Sequence, residues 1–416
     1  MSKNWKPLSS EFEAGVRGLN LGELHEDSKL TSTRAHYNHE IERPLVEPIY
    51  TASTYRSESV DHYLDILGEQ GGYIYSRLGN PTTDAVECAL NAVEGGAGCI
   101  AFNSGMAAIS TALTLFLKSG DHMIIHSPVY SGTHKFLSKY LSPNYNVEVT
   151  WIPAGSSVDV YRNNVKDNTK ILYAETPCNP NMDIIDLTEL AALGKEKGIM
   201  TFVDNTFASP VCQKPISLGI DIVMESCTKY LGGHSDLMAG LVCTKTLENW
   251  QKLKVYATTL GVTLNPFDSH LLNRGLKTLH VRVERHNFNA QKLAEFLEAH
   301  PKVSRVYYPG LKSHGQHAIA CKQMSGFGGM ITFELKGGLE AGKTFVTSVQ
   351  LMELAVSLGG TQSLLNHAAS MTHGPMVMSD KEREEARITP GLIRFSVGLE
   401  NVEDLKKDLS QALEKC

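Results

Sequence analysis

Residues 199–230 read IMTFVDNTFASPVCQKPISLGIDIVMESCTKY. Two apolar runs, IMTFVDN (199–205) and DIVMES (221–226), each finish in polar and acidic residues. Continuous apolar runs, as opposed to alternating ones, suit strands buried on both faces of a mostly parallel sheet. The pattern extends outward on both sides. CIAFNS (99–104), HMIIHS (122–127), VEVTWIP (147–153) and KILYAET (170–176) precede it, and GLVCTK (240–245) follows. Helix-like stretches such as MAAISTALTLFLKSG and LTELAALGKEKG lie between the runs. This alternation predicts an α/β sheet with right-handed crossovers, with ligands at the ends where the polar residues cluster.

Farther out the pattern changes. Residues 1–70 are polar and irregular, with an extended stretch at Pro48–Tyr55, and read as an arm packed on another surface in an oligomer. Residues 71–265 form the large α/β unit, and 266–416 read as a smaller α+β domain. That domain is expected to open with one long amphipathic helix from about Asn265 to His300. Strands at RVYYPG, GGMITFEL and IRFSVGL and a closing helix EDLKKDLSQALEKC should follow.

Composition narrows the function. A chain of 416 residues with 42% hydrophobic and 20% charged residues is globular, and a formal charge of -6 argues against nucleic-acid binding. No apolar run is long enough to span a bilayer, and the polar start MSKNWKPLSSEFEAG lacks a signal-peptide core, so a cytoplasmic protein is expected. The eight cysteines contain no CxxC and the sixteen histidines no HExxH, so no metal site is assigned.

The chemistry concentrates in the opening segment. Asp204 ends a buried run, which is costly unless something positive faces it; a pyridinium nitrogen would serve. Some 20 residues on, Lys229 stands between Ser226, Thr228 and Tyr230, with hydroxyls suited to phosphate beside an amine suited to a Schiff base. Asn103-Ser104-Gly105-Met106-Ala107 forms a strand-to-helix turn where backbone N–H groups and a helix N-terminus could cradle an anion.

With these blocks in view, the chain resembles the Cys/Met-metabolism family of enzymes that use pyridoxal 5'-phosphate (PLP). The resemblance is carried by YSRLGNPT (75–82), SGMAAIS (104–110), ETPCNPNM (175–182), VDNTFASP (203–210) and SCTKYLGGHSDLMAG (226–240). NRGLKTLHVR (273–282), SLGGTQSL (357–364), MTH (371–373) and IRFSVGLE (393–400) complete it. It implies the aspartate-aminotransferase-like fold (fold type I) and a cytoplasmic homotetramer built from two catalytic dimers. It also implies that Lys229 carries the cofactor, that Asp204 pairs with the ring nitrogen, and that Gly105, Met106, Ser226 and Thr228 contact the phosphate. Tyr75 and Arg77 would complete the phosphate site from a neighbouring subunit. Tyr130 would stack on the ring and act as proton donor, Asn179 would orient the ring oxygen, and Arg394 with Ser357 would grip the substrate carboxylate.

The implied activity is α,γ-elimination of a sulfur amino acid. Ile74, Lys135 and Gln362 stand where cystathionine γ-lyases resemble one another in polar or charged residues, and an apolar Ile74 suits a short thioether such as L-methionine. Methionine γ-lyases of bacterial type resemble one another in a Cys where Gly132 stands here, and their Lys-Asp pair is replaced around Ala257-Thr258. Cystathionine γ-lyase activity and γ-replacement on an O-acyl-homoserine remain the alternatives.

Overall fold

The computed structural model describes residues 44–68, 71–376 and 378–416. Most of the expected arm, up to residue 43, lies outside the described residues. The segment after it runs extended along the start of the helix Pro81–Glu94: the Tyr50 amide donates to Thr82 Oγ1 (2.9 Å), and Thr54 bridges Tyr75 antiparallel.

All seven anticipated strands of the larger sheet are present. They are β1 (Gly98–Phe102), β2 (His122–Ser127), β3 (Glu148–Pro153), β4 (Thr169–Glu175), β5 (Met200–Asp204), β6 (Ile222–Glu225) and β7 (Gly240–Thr244), in the order β1-β7-β6-β5-β4-β2-β3. β3, β2, β4, β5 and β6 pair in parallel, and β7 runs antiparallel to both its neighbours. The apolar runs are continuous because successive side chains enter two different cores. Ile124, Leu172 and Val203 point into one; Ile125, Tyr173 and Phe202 point into the other. Helices cover both faces. Pro81–Glu94 begins with Asn80 accepting from the Thr82 amide and a proline at the first turn, and stops at Gly95 with φ +74°.

A second sheet holds β8 (Val303–Tyr307), β9 (Met330–Leu335), β10 (Glu353–Leu354), β11 (Leu364–His367) and β12 (Leu392–Ser396), in the order β10-β11-β12-β9-β8. Its sides differ. Ile331, Phe333, Ile393 and Phe395 pack against Leu293 and Leu297 of the helix Leu279–Glu298 and Leu405, Leu409 and Leu413 of the closing helix Val402–Glu414. The alternate residues Thr332, Arg394 and Ser396 face the other way, and Thr332 Oγ1 donates to Pro180 O of the larger unit. This polar inner face carries half of the site.

The helix expected from Asn265 to His300 is two helices, Pro266–Leu276 and Leu279–Glu298, interrupted at Lys277–Thr278. Periodicity continues through the break, because Leu272, Leu276, Leu279 and Val283 all enter the same core. A hydrophobic stripe alone therefore does not reveal it. No helix among the described residues is long and apolar enough to cross a membrane.

Candidate active site

The carboxyl ends of β4, β5 and β6 converge on one place. Glu175 and Asp204 are register partners on adjacent strands, and Glu225 ends β6 just before Ser226. Asp204 is 5% exposed and accepts from the Thr206 amide (3.0 Å) and hydroxyl (2.6 Å). Burial raises its pKa, and those two hydrogen bonds pull it back. Glu175 accepts from the amides of Tyr130 (2.8 Å) and Asn179 (2.7 Å). Burial first, then the Asp204 charge, push its carboxyl above the usual range, while Arg394 counteracts.

Lys229 sits in the turn after β6, half-buried, and its Nζ donates to Ser357 Oγ at 2.7 Å. Burial, followed by the positive Arg394, lowers its pKa to about 8, so roughly a tenth of the amine is neutral at pH 7 and the neutral share rises steeply above it. Ser357 has φ +91°, a strained left-handed conformation for a residue with a side chain. Its carbonyl accepts from Arg394 Nη2 (2.8 Å). Arg394 is 4% exposed, lies over the Phe207 ring at 5.5 Å, and pairs with no carboxylate among the described residues; its Nε has no partner. Burial lowers its pKa to about 10, so it stays charged.

The anion cradle is formed at the start of the helix Gly105–Phe116. Ser104 caps it by accepting from the Ala107 amide (3.1 Å), and the amides of Gly105 and Met106 are left without a protein acceptor. A Cβ on Gly105 would lie 2.9 Å from Ser226 Cβ, so glycine is what lets the cradle close on the Ser226 turn. Thr228 is committed elsewhere, its hydroxyl donating to Ala239 O (3.2 Å) and accepting from Ala239 N (3.1 Å). Tyr130 remains 44% exposed, and its ring reaches over Gly132. Burial raises its phenol pKa, with Asp204 and Glu175 adding to the effect and Arg394 opposing it.

Several expected residues are not drawn into this cluster within one chain. Tyr75 and Arg77 lie against the end of the helix Leu247–Leu260: Arg77 Nη1 donates to Thr258 O (2.7 Å) and its guanidinium lies 5.7 Å from the Tyr75 ring. Ile74 is half-buried on the same segment, and Lys135 and Gln362 are exposed. Glu175 and Phe207 belong to the site but were assigned no role from sequence. Glu175, like Asp204, is an acid ending a buried run and is legible in the sequence on that ground; Phe207 carries no such mark.

PLP fits the residues present. Two buried carboxylates stand side by side at the strand ends with no cation in salt-bridge contact among the described residues. Asn179 Oδ1 and Arg394 Nε are buried without partners, and an amine of lowered pKa stands near a helix N-terminus with unused amides. A cationic ring bearing a phosphate answers the carboxylates, the amine and the amides, and leaves the Arg394 guanidinium for a substrate anion.

Comparison with known proteins agrees with that geometry. Residues 31–414 match the model of the family described as Cys/Met metabolism PLP-dependent enzyme. The chain is 48% identical over 374 residues to an L-methionine gamma-lyase of Fusobacterium nucleatum subsp. polymorphum, covering 89% of this chain and 94% of that protein. It is 47% identical over 369 residues to a cystathionine beta-lyase of Lactococcus lactis subsp. cremoris (strain MG1363), covering 88% and 93%. The crystal structure of cystathionine gamma-lyase from Lactobacillus plantarum complexed with L-serine superposes with a TM-score of 0.88 at 38% identity, covering 94% of this chain and 99% of that one.

Proposed function

The chain belongs to the Cys/Met metabolism PLP-dependent enzymes, and from that premise we propose that it cleaves L-methionine by α,γ-elimination to 2-oxobutyrate, ammonia and methanethiol. The observation that carries an amino-acid substrate is Ser357, which contacts Lys229 Nζ through its hydroxyl and Arg394 through its carbonyl. An α-carboxylate bound at Arg394 would bring its α-carbon towards Lys229. Methionine in particular is favoured by the identity with methionine lyases and by the apolar Ile74.

Lys229 would hold PLP covalently, Asp204 would face its ring nitrogen, and the Gly105 and Met106 amides with Ser226 would hold its phosphate. Asn179 would orient the ring's oxygen side by donating to it from its side-chain amide. Thr228 would support the phosphate turn through Ala239. Bound there, PLP supplies an electron sink for carbanionic charge at the substrate's α-carbon. Lys229, neutral in useful proportion, takes the Cα proton and relays protons between neighbouring carbons. Tyr130, held in its phenol form, donates to the departing sulfur. Arg394 binds the substrate carboxylate with its free Nε and forked geometry, which fixes the Cα–H bond relative to Lys229.

Tyr75 and Arg77, held against the end of the helix Leu247–Leu260, would complete the site of a second copy, and the family resemblance suggests a homotetramer of two such dimers. A cytoplasmic setting accords with eight unpaired thiols. The second reading is cystathionine cleavage, favoured by the 47% identity with the Lactococcus enzyme; γ-replacement on O-acyl-homoserines uses the same residues. The test is a panel of methionine, homocysteine, cystathionine, cysteine, and homoserine esters with sulfide. Methanethiol and 2-oxobutyrate from methionine are expected. Brisk cystathionine turnover with none of methionine overturns the substrate assignment.

A further inference from the structure

We propose that Arg282 is the positioning residue of the catalytic lysine, acting through the backbone carbonyls that follow Lys229. The inference rests on the reading of Lys229 as the cofactor-bearing residue.

Arg282 lies in the first turn of the helix Leu279–Glu298 and is 4% exposed. Its guanidinium faces the lysine turn. Nη1 donates to Tyr230 O (2.7 Å), Nη2 to Gly275 O (2.8 Å) and, at 3.5 Å, to Leu231 O, and Nε to Thr278 Oγ1 (3.1 Å). No carboxylate pairs with it among the described residues. Burial lowers its pKa to about 10, which leaves it charged at neutral pH. A buried cation satisfied only by neutral oxygens is costly, and an apolar side chain would fill the space more favourably. The oxygens it meets nevertheless concentrate negative potential. Two come from consecutive peptides after Lys229, and the third from the last turn of the helix Pro266–Leu276, at the negative end of its dipole.

The glycines around this contact leave room for it. A Cβ on Gly233, whose φ is +74°, would lie 2.0 Å from Arg282 Nη1, and one on Gly275 would lie 2.3 Å from Gly232 O. From the opposite side, a Cβ on Gly359 would lie 2.6 Å from Tyr230 N and 3.0 Å from the carbonyl carbon of Lys229. The backbone from Lys229 to Leu231 is therefore held between Arg282 and the loop that carries Ser357. The Tyr230 side chain is anchored too, its hydroxyl accepting from the Gly329 amide (3.1 Å). Lysine has four rotatable side-chain bonds, so its amine is placed reliably only when its backbone is fixed. The helix break at Lys277–Thr278 gives this clamp its shape: Gly275 O and Thr278 Oγ1 are both offered to the same guanidinium.

The test uses Arg282→Lys, which keeps the charge but not the planar fork, and Thr278→Val, which removes one anchor with little risk to folding. In cofactor-free protein, hydrogen exchange of the amides of residues 229–233 should rise roughly tenfold or more in Arg282→Lys and less in Thr278→Val. Exchange in the helix 279–298 should stay at wild-type rates. In the loaded enzyme kcat should fall more than KM, and the pH midpoint for covalent capture of added PLP should move upward. Wild-type exchange at 229–233 in both variants, or a rise spread evenly over the helix, overturns the proposal. If Arg282→Lys fails to fold, Thr278→Val decides alone. Retained covalent capture in Lys229→Ala would instead sink the assignment of Lys229, while the exchange result on the cofactor-free protein would still stand.

Discussion

Lys229 Nζ donates to Ser357 Oγ at 2.7 Å, across a separation of 128 residues. The carbonyl of the same serine accepts from Arg394. One strained residue thus ties the amine proposed to move protons to the guanidinium proposed to bind the substrate carboxylate, and it belongs neither to the turn after β6 nor to β12.

The lowered pKa of Lys229 has a direct consequence. Covalent capture of PLP by cofactor-free protein, trapped with borohydride, should accelerate through a pH midpoint near 8. A midpoint close to the ordinary lysine value of about 10.4 would contradict the burial argument. Lys229→Ala should abolish capture and reduce turnover by roughly 10³-fold or more.

The left-handed backbone of Ser357 separates two substitutions that both delete its hydroxyl. Ser357→Gly should be more stable than Ser357→Ala by about 1 kcal/mol or more, because glycine alone relieves the positive φ. Both should lose activity. Equal melting temperatures would show that the strain is absent.

Arg394→Lys retains the charge but cannot span a carboxylate with two parallel donors. We expect kcat/KM to fall about 100-fold, chiefly through KM. A change confined to kcat would mean that Arg394 acts on the chemistry and not on binding.

Gly132 is the position at which this chain departs from the cysteine expected of bacterial methionine lyases. A Cβ there would lie 2.6 Å from Tyr130 Cε1 and 2.8 Å from Met106 Sδ, so Gly132→Cys must displace the Tyr130 ring. Activity should drop by ~10-fold or more, and adding Met106→Ala should restore part of it. Unchanged turnover in Gly132→Cys would show that the ring has room to move.

Glu175 supplies a pH prediction of definite sign. A carboxyl whose folded pKa is raised stabilises the fold fully below its unfolded pKa and loses that contribution as pH rises through the folded value. Cofactor-free Glu175→Gln should therefore melt above wild type, by a margin that grows from about pH 5 to about pH 8. PLP should narrow the margin, since a cation beside Asp204 and Glu175 relieves their repulsion. A margin independent of pH would show that Glu175 is ionised without penalty.

The sequence by itself determined the larger sheet and, with the family resemblance, the cofactor class, and it singled out Lys229, Asp204 and Gly105 as candidates for the site. These features are local: an apolar run buried on two faces, an acid or lysine at its end, and a glycine turn before a helix can each be read within about ten residues. Only the tertiary structure decided which distant groups share an environment. Glu175 and Asp204 become neighbours through strand register, Arg394 faces the site because of the pleat of β12, and Ser357 joins it to Lys229 through a strained loop. The helix break at Lys277–Thr278 escaped the pattern because its flanking leucines enter one core, yet it is what presents Gly275 and Thr278 to Arg282. Side-chain periodicity reports which face is buried. It carries no information about which residues, far apart in the chain, meet on that face.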